Sequence, residues 1–419
     1  MNNKRRYIFV PLGSAGDVHP LVWLAKLMAA RGHEVSVVAQ AIVADIPQRA
    51  GLRTVPVGAV SDHDHILSDP DLWHPDRGFQ LLARGFPVWT REMIPAIRGE
   101  IAPGRTVLVG GGVAFAARIA AEAFHVPLVT VQMQPQVFMS VDDAPVMRAG
   151  LEWIKRTPRW VRHGFFRLTD RIVDRVLAEP MNAVRAEFGL TTPARSIMRD
   201  WWMSPDRVLA LFPEWFAPNH SDWPPQTVLT RFPLYDESAE RPMPAELDAF
   251  LRESEPPILF TPGSANMLAR EFFTTAVEAC RRMNRRGLLV TGFPDQLPAS
   301  LPAGVRHANY VPFSQIFPRC AAVVHHGGIG TCAQGLAAGV PQLVMAMAHD
   351  QPDNGWRLRA LGVGDYLHPK TFRGPTVAGK LARLLASSET SAACHDVKQR
   401  MAAQMQPEKV ADLLEDIGR

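Results

Sequence analysis

His325-His326-Gly327-Gly328-Ile329-Gly330-Thr331 carries more chemical potential than any other stretch of this 419-residue chain. An apolar run, residues 321–324, leads into it, and the composition predicts a helix over 332–338 leaving it. Glycines at a strand-to-helix turn let backbone N–H groups approach a ligand closely, and the helix N-terminus adds partial positive charge. The result suits a pyrophosphate, whose oxygens the histidines and the threonine can also meet with side-chain donors. A second apolar strand after Gly339-Val340-Pro341 ends at His349-Asp350-Gln351 and Asn354. An anion-binding turn followed by a carboxylate and an amide fits a diphosphate whose far end bears several hydroxyls, a nucleotide sugar.

A second reactive candidate lies near the start, in Gly13-Ser14-Ala15-Gly16-Asp17-Val18-His19-Pro20. Asp17 follows an apolar strand and precedes a helix expected to begin near Pro20. A carboxylate there can accept a proton at the strand's carboxyl edge or simply cap the helix. His19 can tune Asp17, touch an acceptor, serve as an alternative base or be structural. Asp62-His63-Asp64-His65 imitates a metal site but sits in a polar stretch, so a solvated loop and no metal are expected. Adjacent residues on a strand point to opposite faces. Only one of the paired histidines can therefore face a ligand, and His325 is the expected one, with His326 partly structural.

Alternating strands and helices must position these groups. In the first half, strands are predicted over 7–12, 34–39, 54–57, 106–109 and 127–131, with helices over 20–31, 43–50 and 113–124. Two aromatic-rich tracts, 61–103 and 134–202, read as irregular. Dense proline around 212–244 excludes helix interiors and central strands, which marks a connection between domains. The alternation then resumes, with strands over 258–261, 288–291, 321–324 and 342–345, a short one near Arg306, and helices between them. Short apolar strands separated by helices imply parallel sheets covered on both faces. The expected fold is α/β, two doubly wound Rossmann-like domains facing across a cleft. Their bounds are 1–212, a linker over 213–244, 245–395, and a helical tail over 396–419.

Composition excludes other classes. With 47% hydrophobic and 21% charged residues the chain is globular, not disordered. A formal net charge of +4, without a basic run or zinc-finger spacing, gives no footprint for nucleic acid. Cys280, Cys320, Cys332 and Cys394 are widely spaced, so reduced thiols and a cytoplasmic location are expected. No apolar segment is long enough to cross a bilayer. The aromatic excess, including Trp73, Phe138, Trp153 and Trp160, favours an apolar acceptor bearing a hydroxyl. Arginines spread among aromatics over 151–177 describe either a solvated helical face or a peripheral contact with the inner membrane.

Taken together, the early glycine turn, His325 to Thr331 and Ala348-His349-Asp350-Gln351-Pro352-Asp353-Asn354 resemble the GT-B glycosyltransferases that include plant and antibiotic enzymes. The string Phe212-Pro213-Glu214-Trp215-Phe216-Ala217-Pro218, with Asp222-Trp223-Pro224 and Phe232-Pro233-Leu234, is most similar to the rhamnolipid-forming branch. The resemblance covers essentially the whole chain.

It implies that the second domain binds the donor and the first the acceptor, without cofactor or metal. His325, Gly328, Gly330 and Thr331 would hold the pyrophosphate, joined by Ser264. Asp350 and Gln351 would bind sugar hydroxyls, and Tyr310 with the Val311 backbone would receive the nucleobase. Asp17 would be the base of an inverting transfer, with His19, Trp73 and Phe138 near the acceptor. The implied reaction moves L-rhamnose from dTDP-L-rhamnose to a hydroxy-fatty-acid lipid supplied by a partner enzyme. UDP-glucose with a sterol, carotenoid or polyketide acceptor is the alternative. A catalytically silent protein that binds nucleotide sugar or lipid is the other.

Overall fold

The computed structural model describes residues 4–59, 69–74, 77–253 and 255–417. Strands β1 (Arg6–Val10), β2 (Glu34–Gln40), β3 (Arg53–Val57), β4 (Thr106–Gly111), β5 (Leu128–Gln132), β6 (Arg207–Ala210) and β7 (Thr227–Leu229) form a first sheet in the order β3-β2-β1-β4-β5-β6-β7. Strands β8 (Ile258–Thr261), β9 (Gly287–Val290), β10 (Val305–Ala308), β11 (Ala322–His325), β12 (Gln342–Met345) and β13 (Gly364–Leu367) form a second, ordered β10-β9-β8-β11-β12-β13. Every strand pair is parallel. The two doubly wound α/β domains are therefore present as expected. Tyr7 to Val10 and Ala322 to Val324 are fully buried, as central strands covered on both faces must be.

Strand order reverses between β1 and β4 in the first sheet and between β8 and β11 in the second. Loops leaving such neighbours diverge and open a crevice at the carboxyl edge. Asp17 follows β1, Ser264 follows β8 and the glycine turn follows β11, so the topology brings the candidate groups to these crevices.

Several expectations are corrected. Both tracts expected to be irregular contain long helices, Gly78–Glu100 and Arg159–Glu187. The first buries Phe86, Trp89, Met93, Ile94 and Ile97, a helical spacing obscured by Pro87 and Pro95. Neighbouring packing offsets what those prolines cost the helix. Strand β7 lies inside the stretch taken as connection. It is a three-residue edge strand, where the flanking Pro224, Pro225 and Pro233 remove no ladder partner.

The first helix starts at Ala15, not near Pro20, because Ser14 rather than Asp17 is its N-cap residue. The chain's last helices are Ser388–Ala402 and Pro407–Glu415. The second returns to the first domain, where Val410, Ala411 and Leu414 join the cluster of Val18, Leu21 and Leu24. Arg31 pairs with Asp412 at 2.7 Å and His33 with Glu415 at 2.9 Å, fastening it there. Asp62 to His65 lie outside the described residues.

Candidate active site

The turn after β11 is built around two demands on the backbone. Gly327 has φ +96°, and a Cβ there would fall 2.6 Å from Val344 Cγ1, so only glycine fits. Gly328 then caps the helix Ile329–Ala338, whose first internal bond runs from Cys332 N–H to the Gly328 carbonyl at 3.0 Å. The amides of Gly330 and Thr331 find no protein acceptor among the described residues. A Cβ on Gly330 would meet open space. Unpaired helix N-terminal amides beside open space can receive an anion.

The two histidines exchange their expected places. His325 is fully buried; its Nε2 lies 3.0 Å from Gln342 Oε1, and its Nδ1 accepts the Gly327 amide at 3.1 Å. With both nitrogens committed to holding the turn, His325 is a structural residue and not a contact for the pyrophosphate. The His326 ring instead fills the space between the two loops. A Cβ on Gly263, after β8, would lie 2.8 Å from it, and one on Gly328 would lie 2.5 Å from its Nε2. His326 thereby fixes the spacing between the Pro262-Gly263-Ser264 loop and the glycine turn, with Ser264 exposed beyond it. Burial pushes His325 down to about 3 and His326 down to about 4, so both rings are neutral near pH 7.

Asp350 reaches back to the start of the same helix. Its Oδ2 accepts the Ile329 amide at 3.3 Å and the Asn354 side-chain amide at 2.7 Å. Asn354 is fully buried and also donates to the Gly327 carbonyl at 2.9 Å, so one side chain ties the turn to the carboxylate. That role was missed in the sequence, although the four-residue step from Asp350 places both on one helical face. Gln351 is 2% exposed and its Oε1 accepts the amides of Met347 and Ala348, shaping the loop before the helix Gln351–Ala360.

Asp17 lies opposite. Its Oδ2 accepts the Ser14 amide at 2.8 Å and the Ser14 hydroxyl at 3.1 Å. A Cβ on Gly13, whose φ is +122°, would stand 2.4 Å from that oxygen, so the glycine before the cap makes room for the carboxylate. Burial raises the Asp17 carboxyl above its ordinary range, against the lowering effect of Ser14. Burial pushes Asp350 up to about 7, with Asn354 opposing and the negative charge of Asp17 adding to the rise. The two acids thus sense each other across the interdomain gap, and Ile329 packs on the first domain's core beside them.

A pH dependence follows. The folded value of Asp350 lies above its ordinary one, so the group gains a proton as pH falls through about 7. A diphosphate arriving beside it then meets a neutral acid below that point and an anion above it. Nucleoside diphosphate affinity is expected to weaken by up to about ten-fold per pH unit above 7, and Asp350→Asn should remove this component. Calorimetric titrations of both proteins between about pH 6.5 and 8.5 check it; identical pH profiles would count against it.

The remaining candidates divide. The Tyr310 hydroxyl donates to the Asp236 carbonyl, and the Arg241 guanidinium lies 3.5 Å from the centre of its ring. A linker arginine, unforeseen in the sequence, therefore occupies one face of the ring expected to stack a base. Val311 is buried in the second domain's core. Trp73 stands at the cleft, edge-on to His349 with ring centres 5.8 Å apart, while His349 Nε2 lies 3.1 Å from the Leu72 carbonyl. Phe138 is stacked at 3.9 Å on Trp223 and edge-on to Phe212, which makes it a core residue first. His19 pairs with Glu237 of the linker at 3.0 Å, and Arg49 holds the same carboxylate, so His19 ties the first helix to the interdomain crossing.

Known proteins share this architecture. Residues 292–417 match the model of the erythromycin biosynthesis protein CIII-like C-terminal domain. The chain is similar to the O-mycaminosyltylonolide 6-deoxyallosyltransferase of Streptomyces fradiae, 30% identical over 387 residues, covering 85% of this chain and 84% of that protein. A glycosyltransferase of Amycolatopsis orientalis is 30% identical over 376 residues, covering 86% and 85%. Among solved structures, the spinosyn rhamnosyltransferase complexed with thymidine diphosphate superposes with a TM-score of 0.71 at 20% identity, over 98% of this chain and all of that one. With two parallel sheets and 30% identity to a glycosyltransferase over 85% of its length, the chain belongs to the GT-B glycosyltransferases of the antibiotic-pathway type.

Proposed function

We propose that this glycosyltransferase moves a deoxyhexose, with inversion, from a thymidine diphosphate sugar to a hydroxyl on an apolar acceptor. The observation that carries this reading is the placement of Asp17, in the first turn of the helix after β1, beside the open start of the helix Ile329–Ala338, whose Ile329 packs on the first domain's core. Asp17 takes the proton from the acceptor hydroxyl as its oxygen attacks the anomeric carbon. The diphosphate leaves toward the Gly330 and Thr331 amides and Ser264, which are fixed before the reaction begins. His326, neutral and wedged between the loops, sets their spacing and carries no charge to the leaving group. In this reading Asp350 meets the sugar hydroxyls, Gln351 holds the loop before it through the Met347 and Ala348 amides, and Trp73 contributes to the acceptor side.

L-Rhamnose passing to a hydroxy-fatty acid is the form of this reaction that we put first. The aromatic string over 212–234 supports it, as does a spinosyn rhamnosyltransferase of the same fold. The competing reading, UDP-glucose with a sterol, carotenoid or polyketide, is supported by 27% identity to a sterol 3-beta-glucosyltransferase of Arabidopsis thaliana, over 85% of this chain and 57% of that protein.

A donor-by-acceptor panel decides between them. Purified protein is incubated with dTDP-L-rhamnose or UDP-glucose and with hydroxy-fatty acids, sterols or macrolide aglycones, and products are read by mass spectrometry and anomeric NMR. Inverted rhamnosides from the thymidine donor alone are expected. Glucosides formed only from UDP-glucose would establish the second reading, and donor binding without any product would make the chain a silent binding protein.

A further inference from the structure

The helix Arg159–Glu187 leaves one side uncovered. Trp160, Leu168 and Ile172 are 77%, 55% and 52% exposed, and Trp153 just before the helix is 56% exposed. At 3.6 residues per turn, positions 160, 164, 168, 171, 172 and 175 share this side. The opposite side buries Phe166, Leu177, Met181 and Val184. Arg167, Arg171 and Arg175 are exposed among the apolar side chains, spaced one turn apart. None of the three makes an ion pair among the described residues. Nearby acids are engaged elsewhere: Asp170 with Arg199 at 2.7 Å, Asp174 with the Ser196 and Ile197 amides, and Asp142 with Arg159. Glu179 is the exposed acid on the same side.

This combination selects its occupant. Large exposed apolar side chains need a surface that removes them from water. Unneutralised guanidinium groups beside them need anions at the same depth. A second copy docking by the same side would set arginines against arginines, because a two-fold contact pairs like surface with like. We propose that this side of the helix seats the protein on an anionic lipid bilayer. Trp160 and Trp153 lie at the headgroup level, Leu168 and Ile172 reach the acyl boundary, and the arginines meet lipid phosphates. The cleft would then work beside the membrane, where apolar acceptors concentrate. No helix among the described residues is long and apolar enough to cross a membrane, so the contact is peripheral.

Co-sedimentation of the full-length protein with vesicles tests this without reference to transfer. Vesicles of phosphatidylcholine alone are compared with vesicles containing phosphatidylglycerol. Binding is expected only to the latter, and should weaken as salt shortens the range of the attraction. Replacing Arg167, Arg171 and Arg175 by Gln should lower partitioning by about a hundred-fold, at roughly five-fold per arginine. Trp160→Ser with Ile172→Ser should lower it with both charge and salt dependence retained. Undiminished nucleoside diphosphate binding shows that the variants are folded. The proposal is overturned if wild-type protein ignores anionic vesicles, or if the variants sediment like wild type. It is equally overturned if the Trp160 and Ile172 variant instead dissolves a dimer in size-exclusion chromatography. A chain that transfers no sugar would leave all these results readable.

Discussion

Asp17→Asn is expected to slow sugar transfer by about 10²–10⁴-fold, the usual worth of a positioned base, while nucleoside diphosphate affinity changes little. Asparagine is the informative choice because the carboxylate also serves the helix. Its Oδ2 accepts the Ser14 amide and hydroxyl, and an amide oxygen can accept both. Asp17→Ala would lose these bonds too, at about 1 kcal/mol of stability. A purely structural Asp17 predicts activity tracking stability, with the Asn variant near wild type. A proposed base predicts a stable, donor-binding and nearly inactive Asn variant. A further readout comes from Asp350, which the charge of Asp17 helps to raise to about 7. Without that charge, the pH midpoint for diphosphate binding should move downward. Single-turnover rates with thermal melts and calorimetry cover all three measurements, and an Asn variant of near wild-type rate would remove Asp17 from the chemistry.

Arg357→Ala should destabilise the protein by about 3–5 kcal/mol, the cost of stranding buried acids. Arg357 is 5% exposed and joins the two domains. Its Nη2 meets Asp143 of the first domain at 2.6 Å, its Nε meets the fully buried Asp353 at 2.8 Å, and its Nη1 donates to the Phe216 carbonyl at 3.2 Å. Lys155 continues to neutralise Asp143, at 2.8 Å, after the substitution. Among the described residues Asp353 keeps only the Val146 amide, at 2.9 Å, so it bears most of the penalty. Pairing Arg357→Met with Asp353→Asn should recover a large part of the loss, because the stranded charge is removed with its partner. Urea unfolding of the three proteins checks this; a loss below about 1 kcal/mol in Arg357→Ala would mean that the buried acid is solvated or protonated at little cost.

What sequence alone determined about this protein is local in origin. Apolar runs of strand length and glycines placed at strand ends are read within a short window. They were enough for two parallel sheets and for a glycine turn opening a helix after β11. The long helices over 78–100 and 159–187 carry the same kind of signal, but interior prolines and crowded aromatics masked it.

Tertiary structure alone decided matters that depend on distant partners. Strand alternation shows that His325 and His326 face opposite ways, but not which face holds Gln342. That neighbour, brought by β12, makes His325 structural and leaves His326 between the glycine loops. Glu237 captures His19 from more than two hundred residues away. Asp143 reaches Arg357 across the same kind of separation. The final helix joins the core of the first domain although it follows the second in the chain. Such pairings are set by how two sheets and their crossings pack, and no periodicity along the chain encodes them.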